Sequence, residues 1–428
     1  MSDLIRTIVS IVGFLAAVVS GCCFLRFHSQ RWIFLMVPKM VANSLAPYIA
    51  VVAAVSAILG GIFGAPLAVV SGSASVLILL VYVARVTASH AGFEMAFGPG
   101  WVETISPELR QRLPRRRWTW WPAPLPEECC ERNVPFWTMP DSPRQLLCDI
   151  WQPPTGIPPS GLAVIYLHTG EWHFADKDFG TRPLFRHLAG QGHVVMDVAY
   201  RLCPEVELYG MLGDVKRAVA WMKTNGAQFA VDPNRIVLAG GSAGGHLALL
   251  AAYTSDCPEW TPGELKSANL RVKAVVSYYG PPDLHAFFEE GYGRVNPPKK
   301  VKKIARNLLR GTAGESPRPY QKGSPVAYVR SGCPPTLIFQ GEHDCGVPAK
   351  STRDFYHRLV QAGASVIYVE FPQTEHGFDL QIKAICAIVK KQLHWPWTQN
   401  ALEDLSQYSP AAQAARYDLD RFLALMSA

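Results

Sequence analysis

Two long stretches near the start of the chain are apolar and carry no charged side chain. They cover residues 7–25 and residues 40–84. A single helix over the second stretch would be about 68 Å long at roughly 1.5 Å per residue, whereas the hydrocarbon core of a bilayer is only about 30 Å thick. Glycines and a proline interrupt it at 60–66, in the sequence GGIFGAP. The pattern therefore predicts three transmembrane helices, near 6–26, 45–62 and 65–86.

From about residue 130 onward, short β-branched runs alternate with longer segments of helical periodicity. This alternation is typical of a mostly parallel sheet with helices on both faces, and it predicts an α/β fold. The predicted strands are 162–168, 193–200, 235–240, 273–280, 335–341 and 365–371. The predicted helices lie near 181–190, 209–229, 243–254, 348–363 and 378–393.

These patterns divide the chain into four predicted regions. A transmembrane region, 1–90, is followed by a basic juxtamembrane linker, 91–129, and by the α/β domain, 130–395. Within that domain, residues 281–330 are rich in Pro, Gly and Lys and are too long for an ordinary loop, so we predict a lid-like insertion. Residues 396–428 form a C-terminal tail that ends in a helix.

Basic residues are concentrated beside the predicted spans. The net charge is +7, from 41 Lys and Arg against 34 Asp and Glu. Arg26, Arg31 and Lys39 lie between the first two spans, and the sequence RQRLPRRRWTWW at 110–121 follows the third. Because cytoplasmic loops are enriched in Lys and Arg, we predict a multi-pass membrane protein with its α/β domain on the cytoplasmic side. The membrane also accounts for the arginine runs, so no nucleic-acid partner is predicted.

Two other interpretations of the apolar segments stay open. The first segment could be a cleaved signal peptide, since VSGC at 19–22 resembles a lipoprotein cleavage box. Its only basic residue, Arg6, is offset by Asp3, and further apolar spans follow. Alternatively, residues 40–84 could be a buried helical hairpin of a soluble protein. The ten cysteines are scattered without a Cys-x-x-Cys motif, which favours a reducing compartment over a zinc or redox site.

A glycine-rich stretch places one serine at a predicted strand-to-helix turn. Residues 240–244 read GGSAG and fit the pattern Gly-x-Ser-x-Gly. A nucleophile elbow requires this strand–turn–helix context, because small residues must flank the serine where the backbones crowd. Ser242 is therefore the candidate nucleophile, although the same five-residue pattern also occurs in ordinary packed turns.

A serine hydroxyl needs a base to remove its proton. In this architecture the acid and then the histidine follow the serine along the chain. Asp344 and His376 lie in the loops after the last two predicted strands, which open at the same edge of the sheet. We predict Ser242 as nucleophile, Asp344 as the group that orients the imidazole, and His376 as general base and then general acid. Glu342 is the alternative acid.

The loop after the first predicted strand, HTGEW, is suited to supply oxyanion donors. The backbone N–H groups of Gly170 and Glu171, together with that of Ala243, form the predicted oxyanion hole. An ordinary strand-to-loop turn is the alternative interpretation. His168, Glu171 and His173 are close in sequence, but they occupy this loop, and we predict no metal site.

Several motifs together resemble the α/β-hydrolase fold, and more closely the hormone-sensitive-lipase-like and acetyl-esterase or feruloyl-esterase-like carboxylesterases. In chain order the motifs are HTGEW, YRLCPE, GGSAGGH, SPVAYV, HDCGVP and EHGF, spread over about residues 130–395. The resemblance implies ester hydrolysis without a cofactor. It also implies nucleophile, acid and base roles at the positions that match Ser242, Asp344 and His376.

The chain departs from the family pattern at four positions. Thr169 and Glu171 replace glycines of the His-Gly-Gly box, Ala199 stands where an Asp usually precedes Tyr-Arg, and Gly241 replaces the Asp or His before the nucleophile. All four lie around the predicted oxyanion hole and acyl pocket, and none belongs to the triad.

Taken together, the sequence predicts a membrane-anchored serine hydrolase that cleaves carboxylic esters, lipid-like or with small acyl groups, through an acyl-enzyme intermediate. Its predicted partners are the ester substrate, with membrane lipid among the candidates, and the bilayer. An amidase, a formamidase or a peptidase is the alternative, because the same triad serves these reactions. A catalytically silent membrane receptor or scaffold is a further alternative, against which the intact Ser, Asp and His argue.

The insertion contains one basic amphipathic segment, PPKKVKKIARNLLR at 297–310. Val301, Ile304, Ala305 and Leu308 share one helical face, and Lys and Arg occupy the others. Because such a helix can lie on an anionic leaflet, we hypothesise that the insertion is a lid that touches the inner leaflet. The alternative is a solvated helix whose apolar stripe packs on the domain.

Overall fold

The computed structural model describes residues 2–28, 35–140, 143–380 and 407–428. Its N-terminal helices are α1 (Ser2–Gly21), α2 (Met36–Ser44), α3 (Ala46–Phe63) and α4 (Pro66–Val86). In these described ranges, three helices are long and apolar enough to cross a bilayer, namely α1, α3 and α4. They correspond to the three predicted spans, although α1 begins and ends earlier than expected.

The three long helices pack through small residues and present apolar side chains outward. A Cβ atom on Gly72 would lie 2.5 Å from the carbonyl oxygen of Ala53, so α3 and α4 approach closely there. The hydroxyls of Ser20 and Ser75 share a hydrogen bond of 2.6 Å between α1 and α4. Small residues at helix contacts are typical of membrane helices. The exposed outer faces carry Leu4, Ile8, Ile58, Ile62, Val70 and Leu77. This arrangement is consistent with a membrane anchor.

The segment predicted as a basic linker, 91–129, is folded onto the α/β domain. It includes two short helices, α5 (Gly92–Phe97) and α6 (Pro107–Arg112). Phe93, Trp101 and Ile105 are buried in the same hydrophobic cluster as strands of the sheet. The rings of Phe93 and Trp101 stack with their centroids 4.4 Å apart. This part of the chain is therefore packed structure and not a free tether.

The α/β domain is built on a mostly parallel sheet. Within the described residues it has eight strands, β1 (Cys130–Thr138), β2 (Gln145–Trp151), β3 (Ala163–Leu167), β4 (Val194–Val198), β5 (Ile236–Gly241), β6 (Ala274–Tyr278), β7 (Thr336–Gly341) and β8 (Val366–Phe371). Their order is β1-β2-β4-β3-β5-β6-β7-β8. β2 pairs antiparallel with β1 and β4, and the other neighbours are parallel. The predicted fold class is confirmed, and β1 and β2 are additions to the predicted strands.

Helices cover both faces of this sheet. The first are α7 (Arg182–Gly190), α8 (Leu208–Asn225) and α9 (Ala243–Tyr253), close to three predicted helices. Strands β3 to β6 bury every residue, as expected for parallel strands with helices on both sides. Ile165 and Leu238 pack on the face that carries α8 and α9, whereas Val164 and Val237 pack on the face that carries α7.

The insertion at 281–330 folds into several helices on the face of the sheet that carries α8 and α9. They are α10 (Leu284–Ala286), α11 (Tyr292–Val295), α12 (Pro298–Leu309) and α13 (Pro317–Gly323). On α12, Ile304, Ala305 and Leu308 are buried in the domain core, while the lysines and arginines stay exposed. The apolar stripe of this helix therefore packs on the domain and does not lie on a leaflet, so this part of the hypothesis is wrong.

The last two described helices lie on opposite faces of the sheet, since Phe355 and Leu359 of the first one pack with α8 and α9, whereas the C-terminal helix packs on the face that carries α7. After the insertion, α14 (Ala349–Gln361) matches the helix predicted at 348–363. The helix predicted at 378–393 lies mostly outside the described residues. The C-terminal helix α15 (Pro410–Met426) contacts α2, α4 and β7, and it buries Leu419, Phe422 and Leu423 in the core. The described part of the predicted tail, 407–428, thus ends in a helix that packs on the domain, and the boundary at 396 stays a prediction.

Candidate active site

Ser242 lies in the turn between β5 and α9, in a strained backbone conformation. Its φ is 53° and its ψ is −117°, a combination that few residues other than glycine adopt. The turn is tight, because a Cβ atom on Gly244 would lie 2.0 Å from the carbonyl oxygen of Leu167. The elbow therefore packs on the end of β3 and lifts the Ser242 side chain to the carboxyl edge of the sheet.

The structure brings Ser242, Asp344 and His376 into one hydrogen-bonded chain. Nε2 of His376 lies 2.9 Å from Oγ of Ser242, and Nδ1 of His376 lies 2.8 Å from Oδ2 of Asp344. A carboxylate only accepts, so Nδ1 carries the proton and Nε2 is free to accept one from the serine. The arrangement has the connectivity that general-base activation of a serine requires.

Main-chain amides and one glutamine hold the Asp344 carboxylate in place. Oδ1 accepts hydrogen bonds from the N–H groups of Gly346 at 2.8 Å and Val347 at 2.7 Å. The Gln340 amide donates to Oδ2 over 3.1 Å, and the hydroxyl of Thr352 donates to that same glutamine. The carboxylate is nearly fully buried. It therefore presents a fixed negative charge to the imidazole.

The environment of His376 favours its protonated form. Burial by itself lowers the pKa of the imidazole. The negative charge of Asp344 and the hydrogen bond to it outweigh burial, so the pKa of His376 is raised above its ordinary value. The ring of Tyr279 packs against the imidazole with centroids 4.5 Å apart. A raised pKa stabilises the imidazolium that would form once the serine gives up its proton.

Glu342 and His246, two other titratable residues near the triad in sequence, have partners outside it. Glu342, the alternative acid, accepts hydrogen bonds from Arg26 at 2.7 Å and from the Gln373 backbone at 2.9 Å. His246 is buried and lies 2.7 Å from the carbonyl oxygen of Gly323. Burial lowers the pKa of His246 to about 4. The geometry thus favours Asp344 as the acid, while the catalytic roles themselves stay predictions.

The predicted oxyanion loop leaves β3 in an unusual conformation. φ is 128° at Gly170 and 53° at Glu171, and a Cβ atom on Gly170 would collide with the carbonyl oxygen of Phe174 at 1.9 Å. Within the described residues, the N–H groups of Gly170, Glu171 and Ala243 have no protein acceptor. Gly244, next to Ala243, packs on Leu167 and His168. The loop and the elbow are therefore neighbours, as the oxyanion-hole prediction requires.

The Glu171 side chain connects this loop to the insertion, a role that sequence reasoning missed. Its carboxylate accepts a hydrogen bond from the Tyr292 hydroxyl at 2.7 Å and forms an ion pair with Lys300 at 3.0 Å. Asn307, on the same helix as Lys300, contacts Nε2 of His173 at 3.2 Å. The sequence feature that could have indicated this role is the acidic residue itself, because Glu171 stands where the family pattern has a glycine.

The α/β domain is similar in sequence to known esterases. Residues 148–359 match the BD-FAE family. The chain is 33% identical to the probable carboxylic ester hydrolase LipM of Mycobacterium tuberculosis, over 54% of this chain and 53% of LipM. It is 34% identical to esterase LipQ of that organism, over 55% of each chain. It is 26% identical to the isoprenylcysteine alpha-carbonyl methylesterase ICME of Arabidopsis thaliana, over 55% and 54%. The chain thus spans about half the length of the curated relatives it matches.

The fold also has a solved counterpart. The inhibited esterase B from Lactobacillus rhamnosis aligns with a TM-score of 0.51 at 22% identity, over 69% of this chain and 89% of that one. Together with the sheet order and the elbow, this likeness defines the domain as an α/β-hydrolase. The family match and the esterase relatives extend this likeness to carboxylesterases of the type that resembles hormone-sensitive lipases and feruloyl esterases. The predicted resemblance is confirmed.

Proposed function

We propose that the chain is a membrane-anchored serine hydrolase that cleaves carboxylic esters through an acyl-enzyme intermediate. The observation that carries the proposal is the position of His376, within 2.9 Å of Ser242 and 2.8 Å of Asp344. The names of the relatives, a carboxylic ester hydrolase and esterases, support an ester as the substrate.

In the first half of the reaction the serine is acylated. As Oγ of Ser242 attacks the carbonyl carbon of the ester, its proton passes to Nε2 of His376. Asp344 stabilises the imidazolium that forms. The backbone N–H groups of Gly170, Glu171 and Ala243 donate hydrogen bonds to the carbonyl oxygen as negative charge develops on it. His376 then gives its proton to the departing alcohol oxygen, and the acyl group stays on the serine.

In the second half, water removes the acyl group. His376, neutral again, accepts a proton from a water molecule as that water attacks the acyl carbonyl carbon. The same amides stabilise the second tetrahedral intermediate. When this intermediate collapses, His376 returns the proton to Oγ of Ser242, and the carboxylic acid leaves. The cycle consumes only ester and water, so it needs no cofactor.

The direct test uses the full-length protein in nanodiscs. Wild type should react covalently with a fluorophosphonate probe and hydrolyse p-nitrophenyl esters. Ser242→Ala should lose labelling and lower kcat on the order of 10⁶-fold. Ser255→Ala, at a half-buried serine beyond α9, is the matched control and should retain both properties. Labelling that persists in Ser242→Ala would overturn the serine mechanism.

A substrate panel then separates ester hydrolysis from related reactions. The panel contains esters of graded acyl length and, for each ester, the amide of the same acid. At every acyl length we expect a higher kcat/KM for the ester than for the amide. The chain-length dependence of kcat/KM defines whether the acyl pocket takes small or lipid-like groups. Faster cleavage of the amides would assign an amidase or peptidase to the same triad.

The membrane part of the proposal rests on the three apolar helices and on the basic residues beside them. Excess Lys and Arg on one side of the spans supports a cytoplasmic α/β domain. Cys129, which is exposed, provides a probe, because a membrane-impermeant maleimide should label it in inverted but not in right-side-out vesicles. Cys129→Ser is the control for labelling at other cysteines. Labelling in right-side-out vesicles would reverse the orientation.

A further inference from the structure

The loops that carry the acid and the base of the triad also carry charged and polar side chains that contact the N-terminal part of the chain. His343 directly precedes Asp344, and Glu375 directly precedes His376. Each of these neighbours contacts the N-terminal part of the chain and not the α/β domain alone. The connection joins residues that are more than 300 positions apart.

Lys39, on the short helix α2 between the first two apolar helices, lies at the centre of this contact. Its ammonium group donates to Oε1 of Glu375 at 2.6 Å and to the carbonyl oxygen of Leu25 at 2.6 Å. Nδ1 of His343 lies 2.9 Å from this ammonium group and donates to the same carbonyl oxygen of Leu25 at 3.1 Å, because Nε2 of the ring accepts from Arg26. The side chains of Lys39 and Glu375 are 0% and 1% exposed. A buried ion pair of this kind is retained only where both charges are held in place.

Further contacts extend the same junction. Arg26 donates to Nε2 of His343 at 2.9 Å and to Glu342 at 2.7 Å. Asn43, also on α2, donates to the carbonyl oxygen of Gln373 at 3.0 Å. Both triad loops are thus tied to the N-terminal segment at more than one point.

The two triad loops are also joined to each other directly, because the Glu342 carboxylate accepts a hydrogen bond from the N–H of Gln373 at 2.9 Å and the N–H of His343 donates to the carbonyl oxygen of Thr374 at 3.0 Å. Lys39 contacts the neighbour of Asp344 and the neighbour of His376 with one ammonium group. Because effective proton transfer depends on distances of about 3 Å, a buried group that contacts both loops from the N-terminal side adds to these bonds in setting the separation of the acid and the base. Burial raises the pKa of Glu375 to about 7 even though Lys39 lowers it. The carboxylate therefore depends on this lysine for its charge.

We propose that Lys39 is a positioning residue, through which the membrane-anchoring segment sets the spacing of the loops that carry Asp344 and His376. The inference rests on the proposed hydrolytic function and adds to it a role for the N-terminal segment. The segment is then part of the working hydrolase and not only its anchor, and the α/β domain without it has misplaced triad loops.

The test compares single and double variants of the full-length protein in nanodiscs, with a short soluble ester. Lys39→Met should lower kcat on the order of 10- to 100-fold, as expected for a small misplacement of reacting groups. KM should change less than about twofold, because the substrate does not contact Lys39. Lys216→Met is the matched control. Lys216 is equally buried but donates to Thr254 and Thr261 at the far end of α9, and its kcat should stay near that of wild type.

A double variant separates positioning from stability. Lys39→Met leaves Glu375 buried without its cation, so this group is either charged and unpaired or forced to take up a proton, and both states destabilise the fold. Lys39→Met/Glu375→Gln removes that charge as well, so the thermal midpoint should return toward that of wild type while kcat stays low. Recovery of kcat together with the midpoint would overturn the proposal, since Lys39 would then only neutralise Glu375.

Other outcomes are also decisive. If both Lys39 variants fail to fold, Arg26→Gln is measured in their place. The Arg26 side chain is half exposed, so this substitution should not disturb the core. Its kcat should fall by about three- to tenfold at constant KM, and an unchanged kcat would overturn the proposal. Wild type that neither reacts with a fluorophosphonate nor cleaves esters would instead overturn the proposed function. Active wild type with equally active Lys39→Met would overturn only the role of Lys39.

Discussion

The hydroxyl group of Tyr292 donates a hydrogen bond to the Glu171 carboxylate over 2.7 Å. Tyr292 belongs to the insertion, and Glu171 follows β3 in the loop whose amides are the predicted oxyanion donors. The ring of Tyr292 stacks on Phe287 with centroids 5.0 Å apart, so the hydroxyl is presented from a packed support. The insertion therefore holds the loop in its strained conformation, and it should influence catalysis without touching the triad.

Removing this one hydroxyl should impair the chemical step. Tyr292→Phe is expected to lower kcat about three- to tenfold, less than the loss of a complete oxyanion donor, which costs on the order of 10²- to 10³-fold. KM for a short ester should be nearly unchanged. Tyr320→Phe is the matched control, because Tyr320 lies in the same insertion but donates to Gly311. Equal effects of the two variants would argue against a specific role for the Tyr292–Glu171 bond.

The raised pKa of His376 predicts the acidic side of the pH profile. His376 must be neutral to accept the serine proton, so activity is lost as the pH falls through its pKa. Asp344 raises this pKa above the ordinary histidine value of about 6.5 in spite of burial. The midpoint of the acidic limb of kcat/KM should therefore lie above about 6.5, measured with a soluble ester. A midpoint clearly below that value would mean that burial outweighs Asp344.

Replacement of the acid should change both the rate and this midpoint. Asp344→Asn keeps the shape of the side chain but removes its charge, and a comparable change in a serine triad lowers kcat about 10⁴-fold. Burial is then opposed only by the smaller effects of Asp379 and Glu375, so the pKa of His376 falls and the acidic limb should move to lower pH. Asp354→Asn, at an exposed position of α14, is the control and should behave like wild type. A larger loss in Glu342→Gln than in Asp344→Asn would reassign the acid.

The sheet and the positions of the candidate triad could be predicted because both depend on local signals. Strands such as β3 and β5 are continuous apolar runs, as buried parallel strands require. The glycines around Ser242 indicate a tight turn, and the loops with Asp344 and His376 directly follow predicted strands. Parallel strands end at one edge of a sheet, so loops that are distant in sequence could be expected to meet.

The elements that were not predictable depend on irregular geometry or on distant partners. β1 contains Pro135, has a positive φ of 57° at Asn133 and pairs with register shifts, so its alternation of polar and apolar residues is weak. Lys39 carries a clear sequence signal only for membrane orientation. Its partner Glu375 lies 336 positions further along the chain, and nothing local to either residue indicates the pair.

The C-terminal helix should contribute to stability as a core element. Phe422 on α15 is fully buried, whereas Val360 on α14 is half exposed. Phe422→Ala removes a buried ring and leaves a cavity, so the free energy of unfolding should fall by about 3–5 kcal/mol. Val360→Ala, the control, should change it by less than about 0.5 kcal/mol. Denaturant titration of the full-length protein in detergent, followed by tryptophan fluorescence, measures both. Similar small effects in the two variants would indicate that residues 410–426 lie on the surface of the domain and not within its core.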